Sequence, residues 1–384
     1  MRTALVNGRV ITPQGLRTDC AVVLNESRIE ALVARDDAQI RDARREDLGG
    51  HLLAPGFIDT QVNGGGGVLF NDGPDSDSIR VIGAAHRRFG TTGFLPTLIS
   101  DDLDVIARAI EAVQSAIAAG VPGVLGIHIE GPFLNRARRG VHDARHLRKL
   151  DGSLVPLLCS LSTGRTLVTL APEMTTPEVI ADLTARGVIV SAGHTNATYA
   201  QATRAIAHGL RGFTHLFNAM SPLTPREPGV VGAALYDDTT WCGIIVDGHH
   251  IDPVTLRLAM RCKRHDRFVL VTDAMPAVGS DADSFVLQGK TIRVVNGVCR
   301  DEQGTLAGTA LDMAGAIRNA VSMLGLDLTE AVRMASEYPA DYLGLGHELG
   351  RIAPGHRANL ALLDDRLHVH RTWIDGISQN HERK

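Results

Sequence analysis

Glu130, His194 and His215 are the residues whose types and settings first suggest chemistry. Each stands toward the end of a different apolar run: GVLGIHIEG (123–131), GVIVSAGHT (187–195) and GFTHLFNAM (212–220). One carboxylate and two imidazoles suit a catalytic Zn²⁺ or similar divalent ion, and three protein ligands leave a position for water. Such an ion lowers the pKa of water from 15.7 toward about 7, so that it can attack an amide carbonyl at neutral pH. A base must then accept the proton. Asp273, in RFVLVTDAM (267–275), is the candidate, able to return the proton to a leaving amine. Taken singly, a strand-end His or Asp is more often a hydrogen-bonded or capping residue. These four are linked by a shared place in a repeating pattern.

That pattern has eight members. The other runs are LAPGFIDTQV (53–62), TTGFLPTLI (91–99), TLVTLAPE (166–173) and CGIIVDGHH (242–250). Helical spacing follows in DSIRVIGAAHRRF, LDVIARAIEAVQSAIAAG, PEVIADLTARG, ATYAQATRAIAHG and DPVTLRLAMRCKRH. Alternating strands and helices also fit a doubly wound sheet. The polar residues decide, because a barrel brings the C-terminal ends of its strands to one mouth, whereas an open sheet strings them along a row. The expected fold class is therefore α/β, a (β/α)₈ TIM-like barrel over 54–350. Segments 1–53 and 351–384 read as short alternating strands with Asn-Gly and Asp-Gly turns, and should form a small β-sandwich domain. A β-hairpin near 285–303 is expected as an insertion beside the mouth, where it could act as a lid. TALDMAGAIRNAVSMLG and LTEAVRMASEYPADYLGL should be two helices that close the barrel.

Composition narrows the function classes. With 384 residues, 44% hydrophobic, 21% charged and a net charge of −4, the chain lacks the basic footprint that nucleic acid requires. The N-terminus shows no export signal, and no stretch reaches the roughly 20 apolar residues of a membrane span. Five scattered cysteines without a CxxC pair fit a reducing compartment, so a cytoplasmic location is expected.

Blocks in a fixed order along nearly the whole chain carry a family resemblance: PGFIDTQVNGGGG (55–67), TTGFLPT (91–97), HIEGPFLN (128–135), GHTNATY (193–199), THLFNAM (214–220), REPGVVGA (226–233), VDGHHI (246–251), VTDAM (271–275) and LAGTALDM (306–313). The sequence resembles the N-acetylglucosamine-6-phosphate deacetylases of the amidohydrolase superfamily. The resemblance implies hydrolysis of the acetamide of N-acetylglucosamine 6-phosphate to glucosamine 6-phosphate and acetate. It implies that Glu130, His194 and His215 bind the metal, that Asp273 is general acid and base, and that His142, in GVHDARH, stabilises the developing oxyanion. It further implies that Gly131, His142, Asn218, Ala219, Arg226 and His250 contact substrate, with Arg226 reaching the site of the neighbouring subunit in a homodimer. Between His249 and His250, the latter matches the family spacing after Asp247.

Many superfamily members carry His-x-His at the end of the first strand, where this chain has Gln61 and Asn63. Amides are poor ligands for a tight second ion, so one metal per subunit is expected: Zn²⁺, with Fe²⁺, Co²⁺ or Mn²⁺ also accepted by these ligands. His128, two residues before Glu130 and on the same strand face, either orients that carboxylate or fills a polar core layer. The alternative substrate is another N-acetylhexosamine phosphate such as the galactosamine epimer. A cyclic amide fits poorly without the first-strand histidines, and a sensor without turnover fits poorly with a complete ligand and base set.

Overall fold

The computed structural model describes residues 2–381. One parallel eight-stranded sheet runs in chain order through Phe57–Val62, Thr91–Ile99, Gly126–Glu130, Arg165–Leu170, Ile189–Ala192, Gly212–Phe213, Trp241–Ile244 and Phe268–Leu270. A parallel bridge from Val62 to Ala274 joins the two ends, so the expected barrel is present. Every strand overlaps one of the eight apolar runs. The runs are nearly uninterrupted because a barrel strand is covered on both faces: Phe57–Val62 and Thr91–Ile99 are buried at every residue.

Tyr199–Ala207 and Pro253–Cys262 begin at side-chain caps, whereas Leu103–Ala118 begins without one. Leu103–Ala118 follows Asp102 and buries Ile106, Ala109, Ile110, Val113 and Ala116 along one face. Thr198 and Gln201 form a reciprocal capping box on Tyr199–Ala207. Asp252 accepts from Val254 N ahead of Pro253 at the start of Pro253–Cys262.

The chain divides into two compact units. One comprises Thr60–Ala85 and Phe94–Asp312 and holds all the residues singled out for chemistry; the other contains the chain up to Asp59, His86–Gly93 and the chain from Met313 onward. In that second unit a four-stranded sheet (Arg2–Val6, Cys20–Asn25, Arg28–Ala34, Arg44–Asp47) and a six-stranded sheet (Arg9–Thr12, Gly15–Arg17, Leu52–Pro55, Leu360–Leu363, Val369–Ile374, Ile377–Asn380) share a core. Leu5, Val22 and Leu24 from the first sheet pack with Val10, Leu53, Leu360, Leu362 and Trp373 from the second, the arrangement of a sandwich.

Three differences from the sequence reading have local causes. The unit formed by the chain ends extends beyond 1–53 and 351–384. It includes the helices after residue 312, which bond to its other segments through Ile58 N to Ala335 O at 2.8 Å and Arg333 to Pro13 O at 2.8 Å. LTEAVRMASEYPADYLGL is two helices, Leu328–Met334 and Glu337–Tyr342, interrupted at Ser336, whose φ of −140° is not helical. The expected hairpin is a four-stranded antiparallel meander, Ser284–Leu287, Lys290–Val295, Val298–Arg300 and Leu306–Thr309. Its third turn is built by Asp301, whose Oδ1 accepts from Gln303 N and Thr305 N.

Candidate active site

Glu130 is the last residue of the third barrel strand, whereas His194, His215 and Asp273 lie just past the ends of theirs. At those three residues φ is 48°, 34° and 51°, so the chain leaves strand geometry through a left-handed turn that re-aims each side chain.

The three expected ligands converge. Glu130 Oε1 lies 3.2 Å from His194 Nε2 and 2.9 Å from His215 Nε2, and the two Nε2 atoms are 3.0 Å apart. His194 Nδ1 is 2.9 Å from the carbonyl of Arg138. A carbonyl only accepts, so Nδ1 carries a hydrogen, which leaves Nε2 as the ring atom available to a metal beside Glu130 and His215. At this separation Nε2 and the carboxylate oxygen need a proton or a metal ion between them. The separations approach the edge of about 3.3 Å expected for a tetrahedron of bonds near 2.0–2.1 Å. These residues fit a divalent ion.

Asp273 is joined to this cluster by the amides at the first strand. Gln61 Nε2 donates to Glu130 Oε2 at 3.2 Å and to Asp273 Oδ1 at 3.0 Å, while Asn63 Nδ2 donates to the same Oδ1 at 2.7 Å. The two residues therefore brace the carboxylates. Burial, followed by the Glu130 charge, pushes the Asp273 carboxyl up to about 6, against the opposing pull of His215, His250 and Asn63. Glu130 responds in the opposite sense: burial raises it, but His194 and His215 outweigh burial and hold it well below the usual carboxylate range.

His142 packs edge-on against His194 with ring centroids 4.4 Å apart. Its Nδ1 lies 2.8 Å from Ser100 Oγ and accepts from Ser100 N at 3.3 Å. Burial and the neighbouring His194 depress it to about 3, leaving a neutral ring. Gly131, at φ 86°, gives Ser100 its room: a Cβ there would lie 2.3 Å from Ser100 Oγ.

At the seventh strand, His250 Nδ1 lies 2.7 Å from Asp247 Oδ2, while Asp247 Oδ1 accepts from His249 N and His250 N. The His250 ring is thus oriented inside the fold, whereas His249 is exposed. Asn218 Nδ2 donates to His215 O at 3.2 Å, and Ala219, at φ 52°, follows it in the same loop. Arg226 lies on an exposed loop.

His128 fills a polar core layer and does not orient Glu130. Its ring nitrogens contact Thr97 Oγ1 at 3.3 Å and Thr169 Oγ1 at 2.7 Å, and the chain of hydroxyls continues through Thr214 to Ser191. Sequence reasoning missed Glu173, after the fourth strand. It accepts from Asn135 Nδ2 and Asn196 N through Oε1, and from Thr195 Oγ1 through Oε2, tying the two residues that follow His194 to the loop that holds Asn135. Its position at the end of an apolar run was the available signal.

Residues 52–379 match the model of the Amidohydrolase family. The chain belongs to the amidohydrolase family. This amidohydrolase is 45% identical over 370 residues to the N-acetylgalactosamine-6-phosphate deacetylase of Shewanella sp. (strain ANA-3), covering 96% of this chain and 93% of that one. Its fold matches the crystal structure of N-acetylglucosamine-6-phosphate deacetylase from Pasteurella multocida with a TM-score of 0.96 and 37% identity, covering 99% and 100% of the two chains. A mutant of the N-acetyl-D-glucosamine-6-phosphate deacetylase from Mycobacterium smegmatis, in complex with N-acetyl-D-glucosamine-6-phosphate, matches with a TM-score of 0.90 and 34% identity over 98% of each chain. Among the described residues, the amidohydrolase has no helix long and apolar enough to cross a membrane.

Proposed function

We propose that this amidohydrolase hydrolyses the acetamide of N-acetylglucosamine 6-phosphate, releasing acetate and D-glucosamine 6-phosphate. The observation that carries the reading is the convergence of Glu130, His194 and His215 at 2.9–3.2 Å, with Asp273 linked to Glu130 through Gln61.

When bound by Glu130, His194 and His215, a divalent ion supplies a Lewis acid and a water of lowered pKa. Asp273 accepts a proton from the attacking water as oxygen adds to the acetyl carbon, then delivers it to the amine nitrogen as the C–N bond breaks. The Gln61 and Asn63 donors both engage Oδ1, which makes Oδ2 the oxygen for that transfer. His142, neutral and held at Nδ1 by Ser100, donates from Nε2 to the acetyl oxygen as negative charge develops. Because the first-strand amides brace carboxylates, we assign a single ion per subunit, with Zn²⁺ the choice that suits one carboxylate and two imidazoles.

His250, Asn218, the backbone at Ala219 and Arg226 take the sugar phosphate in this reading, Arg226 as a bidentate partner of its oxygens. The exposure of Arg226 supports its acting in the site of a second subunit. So do the exposed Leu223 (59%), Tyr236 (81%), Val254 (54%) and Leu258 (55%), apolar groups suited to a homodimer contact. The set of free cysteines supports a cytoplasmic enzyme.

The 45% identity to an N-acetylgalactosamine-6-phosphate deacetylase favours a second reading, in which the epimer is the preferred substrate. Acetate release from N-acetylglucosamine 6-phosphate, its galacto epimer and the unphosphorylated sugar, using metal-quantified wild type and Asp273→Asn, tests both. Phosphate-dependent release that is lost in the variant supports deacetylation, and the ratio of kcat/KM for the two epimers assigns the sugar. No release from any of them by metal-loaded enzyme overturns the deacetylase reading.

A further inference from the structure

The hydrogen bonds that hold the ring of His142 come at Nδ1, and the support behind them reaches into the inserted meander. Ser100 N donates to His142 Nδ1 at 3.3 Å. A main-chain N–H has no acceptor role, so Nδ1 must present a lone pair and the neutral ring carries its hydrogen on Nε2. The Ser100 hydroxyl, 2.8 Å from the same Nδ1, donates alongside it.

Ser100 is itself fixed on both flanks. Asn71 exchanges hydrogen bonds with the main chain of Ile99, Nδ2 to O at 3.1 Å and N to Oδ1 at 3.0 Å, and donates to Asp101 Oδ2 at 3.0 Å. Gln288 then spans the remaining gap. Its Nε2 donates to Ser100 O at 2.7 Å and its Oε1 accepts from Asp143 N at 2.7 Å. One side-chain amide thus connects the residue that holds the His142 ring to the residue that follows His142 in the chain.

The location of Gln288 supports a purpose beyond the turn. It occupies the first position of the two-residue turn between Leu287 and Lys290, at φ 48°, with Gly289 at φ 81°. A turn with φ positive at both residues favours Asn, Asp or Gly there. Gln gains nothing for the turn, but its longer side chain reaches both Ser100 and Asp143.

We infer that Ser100 and Gln288 are positioning residues for the hydrolytic step: they hold His142 as the tautomer whose Nε2–H is free to face the acetyl oxygen, with Gln288 applying the meander as a brace. The inference rests on the deacetylase reading above.

The test compares wild type, Ser100→Ala, Gln288→Ala and Gln288→Glu on the preferred N-acetylhexosamine 6-phosphate and on its N-trifluoroacetyl analogue. Gln288 sits on a half-exposed turn, so its variants read out the brace if Ser100→Ala folds poorly; Gln288→Glu keeps the acceptor for Asp143 N but loses the donor to Ser100 O. The oxyanion formed from a trifluoroacetyl group is less basic and depends less on a hydrogen-bond donor. Losing a whole oxyanion donor lowers kcat by about 10²–10³. Misplacing one should therefore lower kcat on the acetyl substrate by about tenfold or more, with KM nearly unchanged and a smaller fall on the trifluoroacetyl substrate. Equal falls on both substrates, a change confined to KM, or no change overturns the positioning role while leaving deacetylation standing. If wild type hydrolyses neither compound, the deacetylase reading fails and this inference fails with it.

Discussion

Asn63 Nδ2 donates a 2.7 Å hydrogen bond to Asp273 Oδ1, and this bond favours the ionised form of a carboxyl that burial drives toward neutrality. In the proposed mechanism Asp273 serves as the base only when ionised, so activity should be present above its pKa and lost as pH falls through it. The carboxyl lies at about 6, and a divalent ion beside it favours the charged form, so the acid limb of kcat/KM should fall at or below pH 6. In Asn63→Ala the limb should move to higher pH by about one unit, the equivalent of a hydrogen bond to a charge. A pH–rate profile of both proteins checks this; a limb that stays in place would show that Asn63 does not bias the proton on Asp273.

Removing the ion should abolish hydrolysis and lower the melting temperature, because a ligand bound only by the folded state stabilises it by mass action. Metal analysis after restoring Zn²⁺ should give one equivalent per chain and recover both properties. Two equivalents would contradict the part given to Gln61 and Asn63.

Glu173→Gln should weaken metal affinity without removing a ligand. The carboxylate accepts from Thr195 Oγ1 and Asn196 N, immediately after His194, and loss of such outer partners commonly costs about tenfold or more in affinity. Competition with a chromogenic chelator measures it. Unchanged affinity would mean that His194 is aimed by its backbone turn and its Nδ1 bond to Arg138 O, without help from Glu173.

A buried lysine remote from the chemistry gives a stability prediction. Lys263 Nζ donates to Ala234 O at 3.0 Å, to Asp237 O and to Thr240 Oγ1, supplying donors at the C-terminal end of the helix Gly229–Tyr236. Lys263→Met removes the charged donor from Asp237 O and Ala234 O, leaving the latter only its weak contact from Cys242 Sγ, and should cost about 2 kcal/mol, with kcat of the folded enzyme unchanged. Urea denaturation read against turnover separates the two effects.

The barrel was legible because each of its strands is buried on both faces and so writes a dense apolar run, bounded by breaks in chain order. Glu130 could be found in the same way, as it ends a regular strand. His194, His215 and Asp273 were found from residue type; their aim depends on left-handed turns for which non-glycine residues give no local sign. The supporting groups were less visible. Gln288 meets Ser100 across 188 positions, and Gln61 meets Asp273 across 212, so neither pairing leaves a periodic trace. Gln61 and Asn63 were read only for the histidines they replace, which pointed to the number of ions but not to the donors they direct at Glu130 and Asp273. The break at Ser336 did have a sign in the sequence that was passed over: Pro339 offers no N–H to the carbonyl of Ala335 and is tolerated only in a first turn, so one helix ends before it and another begins.

The left-handed backbone at His194, His215 and Asp273 sets chemistry against folding. An L-residue with a side chain pays of the order of 1 kcal/mol to sit there, a penalty that glycine escapes. Substitution to glycine at any of these three sites would therefore relieve the local backbone while deleting a side chain to which the proposed mechanism gives a part. At His194 and His215 the same change would also forfeit the stabilisation a bound ion supplies, so the relief of backbone strain and the loss of the ion pull thermal robustness in opposite directions there.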